Sequence, residues 1–176
     1  MARLTPDETI LGLLAVQARH GYELLDYFQD VRQLGSVWNL STSQLYNVLK
    51  RLERAALVAG REVVSESGPP RIEYSLTDAG RAQLQAWLYD PVPSPSIRRV
   101  RVEFLSRLFI ARALGLPTAA IIEHQRRACL AERERLLAKR ARAAPGMETL
   151  TAELVLEQLE AVLRWLERCA AACLSE

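Results

Sequence analysis

The stretch STSQLYNVLKRLERAAL, residues 41–57, decides the fold. Its apolar residues Leu45, Val48, Leu49, Leu52 and Ala56 recur at the spacing of one helical face. Advancing about 100° per residue from Thr42 gathers them into a single sector. Ser43, Tyr46, Asn47, Lys50 and Arg54 fall almost opposite, a face of hydrogen-bond donors without an acid. Glu53 sits on the boundary between the two sectors. Ser41, with Gln44 three residues on, has the spacing of a capping box, which leaves Thr42 and Ser43 exposed at the helix N-terminus. Lys and Arg neutralise phosphates, Asn and Gln pair with adenine edges, and Arg pairs with guanine, so the stripe suits a DNA duplex. A plain solvated helix face uses the same residue types, and the surroundings decide between the two.

Upstream, Thr5-Pro6-Asp7-Glu8 has the form of a helix start, with Thr as N-cap and Pro at the first helical position. Ile10, Leu11, Leu13, Leu14 and Val16 then predict a largely buried first helix, which Arg19-His20-Gly21-Tyr22 interrupts. His20 reads as a loop or capping residue. A second helix carries Leu24, Leu25, Phe28 and Val31, and Gln33-Leu34-Gly35-Ser36 breaks it.

Downstream of Leu57 the period changes. Val58, Val63 and Val64 form one strand, 65–70 is a Ser/Gly/Pro turn cluster, and Ile72, Tyr74 and Leu76 alternate with polar residues as a second strand. Thr77-Asp78-Ala79-Gly80 opens a fourth helix through Leu84, Trp87 and Leu88, which stops before Pro91 because the residue preceding proline avoids helical angles. The order α-α-α-β-β-α is that of a winged helix. We therefore expect a mainly α chain: a winged helix-turn-helix DNA-binding domain over 1–90, a proline-rich linker over 91–96, and an antiparallel helical dimerisation domain over 97–176. In the last helix, Ala152, Leu156, Leu159, Leu163, Leu166, Ala170 and Cys173 step alternately by four and three, a coiled-coil seam. Leu156, Leu159, Leu163 and Leu166 are the expected dimer contacts, since an operator with two half-sites needs two reading helices about one DNA turn apart. The same seam would also suit packing within one monomer.

Bulk numbers restrain this reading without opposing it. The chain has 176 residues, 49% hydrophobic, with a net charge of +2. Residues 1–90 hold nine Lys/Arg against eleven Asp/Glu, net −2, so DNA binding rests on where the charges lie. The acidic first turn precedes any apolar stretch, which argues against a signal peptide. No apolar run is long enough to span a membrane. Three cysteines, Cys129, Cys169 and Cys173, are an odd count that suits reduced thiols and a cytoplasmic location better than a disulfide framework.

Taken together, LLAVQARHGYELLDYF (13–28), WNLSTSQLYNVLKRLERAALV (38–58) and RIEYSLTDAGRAQLQAWL (71–88) resemble the PadR family of bacterial transcriptional regulators. The Gly-Tyr at 21–22, Trp38, the Tyr-x-x-Leu-x-x-Leu-Glu at 46–53 and the Tyr-x-Leu-Thr-x-x-Gly at 74–80 stand in family order. They cover about half of the chain; the tail matches more loosely. Two positions depart from the pattern. Wing tips in the family are basic, whereas Glu66 and two prolines leave Arg71 the only cation near this one, and Ala56 stands where the family usually has Gly.

The resemblance implies a homodimeric repressor on a roughly palindromic double-stranded operator, released by a small planar aromatic effector. It implies that Tyr22 and Tyr46 contact the DNA backbone, that Ser41, Ser43 and Gln44 approach the groove beside Thr42, and that Asn47, Lys50 and Arg51 meet bases or phosphates. Arg54 and Arg71 complete the expected DNA-binding set. Trp38, Trp87 and Trp165 are the aromatic surfaces on which an effector could stack.

Other readings remain open on sequence grounds. A winged helix used only for protein contact would suit the acidic first half, and a winged-helix repressor of MarR type would share the function with a different dimer. Cys169 and Cys173, four apart on one helical face, have a spacing that can hold a metal or sense thiol oxidation, although no paired histidine accompanies them. The arginines of 126–142 alternate with Glu123, Glu132 and Glu134, which marks a solvated face more than a second nucleic-acid site. The chain holds no Gly-rich phosphate loop, nucleophile elbow or paired histidine–carboxylate motif, so neither an enzyme nor a cofactor is expected.

Overall fold

The capping box forms as its spacing predicts: the Ser41 N–H donates to Gln44 Oε1 at 2.9 Å, and the Gln44 N–H donates to Ser41 Oγ at 3.3 Å. The helix it caps, Thr42–Arg54, buries Leu45, Val48, Leu49 and Leu52 and leaves the opposite face exposed. A computed structural model of the chain describes residues 4–65, 68–142 and 144–173, and in it this is the third helix. Glu66 and Ser67 at the wing tip lie outside the described residues, as do the side chains of Pro69, Pro70 and Cys173.

In chain order the first elements are α1 (Asp7–Val16), β1 (Arg19–His20), α2 (Gly21–Gln29), α3 (Thr42–Arg54), β2 (Val58–Ser65), β3 (Gly68–Leu76) and α4 (Asp78–Leu88). The winged helix is therefore present, with one strand more than the sequence suggested. Arg19 and His20 pair antiparallel with Tyr74 and Glu73, giving a sheet of order β1-β3-β2. Two ends also shift. Helix α1 starts at Asp7 with Pro6 as N-cap, not at a Thr5 cap, and Val31 falls beyond α2 and is exposed.

Helix α3 closes in a Schellman pattern, the Ala56 N–H on Glu53 O at 2.9 Å and the Leu57 N–H on Leu52 O at 3.0 Å. Ala56 takes φ 55, the left-handed conformation that favours glycine, so the alanine at this position carries backbone strain. Thr77 then locks the hairpin and α4 to the end of α3. Its hydroxyl shares a proton between the carbonyls of Ala56 and Leu57, at 2.8 and 3.0 Å, and accepts the Gly80 N–H at 3.1 Å. A Cβ on Gly80 would stand 2.1 Å from Leu57 O, so only glycine lets α4 approach this closely. The Thr-x-x-Gly at 77–80 is thus a packing device.

Internal contacts divide the chain into two units, Met1–Leu88 with Leu105–Leu116, and Tyr89–Phe104 with Pro117–Glu176. The sequence placed everything from 97 onward in the tail, yet α6 (Leu105–Ala113) packs with the first unit. The reason is steric and polar. A Cβ on Gly12 would lie 2.4 Å from Ile110, the Trp38 indole donates to the buried Ser106 hydroxyl at 2.9 Å, and the Arg107 guanidinium lies 5.2 Å over the Trp87 ring. Helix α6 thereby covers the side of α1 that the sheet and α4 leave open, which explains why Ile10, Leu11, Leu13 and Leu14 are all buried.

In the second unit, α5 (Ile97–Arg99) runs into a π-helical turn (Val100–Phe104), and α7 (Ala119–Arg140) packs against α8 (Met147–Cys173). Arg133 pairs with Glu160, whereas Lys139 and Arg140 at the end of α7 pair with Glu148 and Glu153 near the start of α8, so the two helices are antiparallel. The proline-rich segment is tied down: Gln125 donates to Ser94 O at 3.0 Å. The seam requires a correction. Leu156, Leu159, Leu163 and Leu166 are 0–7% exposed within a single chain, so they are core residues of this unit and not a free dimer face. A heptad seam wants a partner helix, and α7 already supplies it. What α8 leaves uncovered is Met147, Leu150 and Leu154, spaced three and four apart and 59–76% exposed. No helix among the described residues is long and apolar enough to cross a membrane.

Candidate nucleic-acid interface

Helix α3 projects Thr42, Ser43, Tyr46, Asn47, Lys50 and Arg54 from the winged helix, all exposed. Asn47, Lys50 and Arg54 make no hydrogen bond or ion pair to any described residue. Ser41 and Gln44 are occupied in the cap, and Ser43 Oγ lies 3.2 Å from Ser41 Oγ, so the N-terminal hydroxyls form a small fixed cluster. Glu53 is turned to the hairpin, accepting the Gly60 N–H at 3.3 Å, which removes its charge from the donor face.

Tyr22 and Tyr46 are exposed by 45% and 38%, so neither is a core residue. Tyr46 leans over Gly21, where a Cβ would meet its ring and hydroxyl at 2.8 Å; a side chain at 21 would push the tyrosine away. Tyr22 stacks on His20, with ring centroids 5.5 Å apart, and takes Arg71 from the wing. The Arg71 guanidinium lies 5.3 Å over the Tyr22 ring and donates to its hydroxyl at 3.2 Å. His20, Gly21, Tyr22, Tyr46, Arg71 and Ile72 line an open groove of about 490 Å³. It presents two phenol hydroxyls and one guanidinium beside the donor face, chemistry suited to a phosphate. His20 caps α2, its N–H donating to Glu23 at 2.7 Å, and its Nδ1 lies 3.1 Å from Ile72 O. Burial raises the pKa of the Tyr74 hydroxyl, with the Glu53 carboxylate adding to the effect.

One expected contact is placed differently. Arg51 Nε donates to Asp7 Oδ2 at 3.1 Å and Nη2 donates to Oδ1, so the guanidinium is held at the flank of the helix by α1. The Asp7 carboxylate raises the Arg51 pKa, with burial working slightly against it. Asp7 was legible only as a helix-start acid; nothing local in the sequence links positions 44 residues apart.

Residues 10–86 match the family model described as the transcriptional regulator PadR-like family. The chain is 31% identical over 111 residues to the negative transcriptional regulator PadR of Bacillus subtilis, covering 63% of this chain and 59% of that protein. A probable transcriptional regulator of Mycobacterium tuberculosis is 34% identical over 83 residues, or 47% of this chain and 43% of its own length. The chain thus spans about half the length of the curated relatives it matches. It is also similar, at 24% identity and a TM-score of 0.47 over 95% of this chain and 98% of the other, to a crystal structure of Bacillus subtilis PadR in complex with operator DNA. The PadR-like match holds α2, α3, the hairpin and most of α4, and so contains the donor face and the tyrosine groove.

The remaining candidates lie elsewhere. Trp38 and Trp87 are engaged with Ser106 and Arg107, and Trp165 meets Phe104 edge-on at 5.7 Å in the second unit. Among the described residues no His, Cys, Asp and Glu cluster could hold a metal. Along α7, Arg126 and Arg127 pair with Glu123, Arg135 with Glu132, and Arg133 with Glu134 and Glu160, so these cations form a laced, solvated surface.

Proposed function

We propose that the chain is a sequence-specific double-stranded DNA-binding transcriptional regulator, acting as a dimeric repressor in the cytoplasm and catalysing no reaction. The observation that carries this is the acid-free donor face of α3, with Asn47, Lys50 and Arg54 exposed and unpaired among the described residues inside a PadR-like winged helix. A helix of this kind fits the major groove, which is about 12 Å wide. Thr42, Ser43 and Asn47 are assigned to base edges, Lys50 and Arg54 to phosphates, and the Tyr22, Tyr46 and Arg71 groove to the flanking backbone. Repression is the action of the Bacillus relative, a negative regulator, and is carried to this chain as part of the proposal. Dimerisation is assigned to the exposed Met147, Leu150 and Leu154 stripe of α8, and release to a small planar aromatic effector on family grounds.

The test is selection of bound duplexes from a randomised pool with the full chain. A recovered two-half-site sequence, with Asn47→Ala losing preference at one or two positions per half-site, supports the reading. Recovery of no motif would leave the exposed face as a protein-contact surface and defeat it.

A further inference from the structure

Three cations lie on α3, and the fold does not treat them alike. Lys50 and Arg54 stand on the donor face without a described partner, whereas Arg51 is gripped at both Nε and Nη2 by the two oxygens of Asp7. Asp7 is the first residue of α1, and its side chain is only 18% exposed against 49% for Arg51. The carboxylate is therefore partly shielded from water, and a two-pronged pair fixes the planar guanidinium in one orientation. On the helical wheel Arg51 is about 90° round from the centre of the donor face, on the side toward α1. A phosphate docking on α3 must compete with Asp7 for it.

We propose that Asp7 withholds Arg51 from the DNA backbone and so limits the affinity of α3 for duplex of any sequence. The inference rests on the DNA-binding reading above. In a first half whose net charge is −2, it leaves Lys50 and Arg54 as the available cations of the helix. Binding would then depend on base contacts more than on charge, and an effector would have less attraction to overcome on release.

The experiment is a salt titration of the full chain on a labelled duplex of scrambled sequence, with folding checked by thermal melting. Asp7→Asn should bind about five-fold tighter, the scale of one exposed ion pair. Its log–log salt slope should steepen by about 0.9, one further phosphate. Asp7→Ser, which removes the carboxylate but keeps a small polar side chain at the first position of α1, should behave alike. Arg51→Gln alone should leave affinity unchanged, and added to Asp7→Asn it should abolish the gain. Tighter binding absent from both Asp7 variants overturns the proposal. So does a flattened slope in Arg51→Gln, which would make Asp7 a support for an arginine already on the phosphate. A wild-type chain that binds no duplex overturns the DNA reading itself, a different result from wild-type binding without the gain.

Discussion

Replacing Ala56 by glycine should stabilise the protein, although it deletes a methyl group. Ala56 ends α3 at φ 55 and is exposed, so the methyl contributes no burial while its Cβ crowds the backbone. Holding an L residue in this region costs about 1–2 kcal/mol. Glycine removes that cost but brings greater freedom to the unfolded chain, worth about 0.5–1 kcal/mol in the opposite sense. The net expectation is a gain of about 0.5–1 kcal/mol. The neighbouring Ala55, at φ −82, supplies the control. Ala55→Gly relieves nothing and should lose about 0.5–1 kcal/mol. In urea denaturation followed by circular dichroism, the two midpoints should move apart, Ala56→Gly rising by roughly 0.2–0.5 M and Ala55→Gly falling by a similar amount. Both falling together would refute the reasoning, because it would mean that the Schellman end carries no strain in solution.

Gly80→Ala should lose at least about 2 kcal/mol, because its methyl would meet Leu57 O, a backbone atom that cannot turn aside; a thermal melt reads this directly. In the tail, Leu159→Ala should lose about 2–5 kcal/mol as a core cavity while leaving the oligomeric state unchanged. Leu150→Glu with Leu154→Glu should instead leave the fold stable and shift sedimentation toward the monomer. Burial pushes the Cys129 thiol up from its ordinary pKa, so it should resist alkylation in the native protein at mildly alkaline pH and react once denaturant is added. Glu123 and Glu132, held below the usual carboxylate range by Arg126 and Arg135, stabilise the tail when ionised. That contribution is present above the unfolded carboxylate pKa, about 4.3, and fades as pH falls through the lowered folded values. The melting temperature of the tail should therefore drop at acid pH.

Local patterns gave most of the first unit. The donor face of α3, its capping box and the hairpin follow from periods of 3.6 and 2 and from side chains three residues apart, all visible within a short window. What escaped the sequence depends on distant partners. Strand β1 is two residues long and exists only because Tyr74 and Glu73 lie beside it. The Arg51–Asp7 pair joins α3 to α1, and the Arg71–Tyr22 contact joins the wing to α2, so each residue was foreseeable and neither pairing was. The α8 heptad shows that a helix must cover Leu156, Leu159, Leu163 and Leu166, but periodicity does not say whose helix, and α7 of the same chain fills the place. Helix α6 looked like tail because it follows the prolines; its small and polar residues, Ser106 and Ala111, are buried against the first unit instead.

Whether the exposed face of α3 reads DNA is decided by a salt titration of the wild-type chain beside Lys50→Ala. With duplex from the gene's own upstream region, the wild-type chain should show a steep negative log–log slope that Lys50→Ala flattens by about 0.9, one phosphate contact. Equal slopes for the two proteins, or wild-type binding indifferent to salt, would contradict the DNA reading.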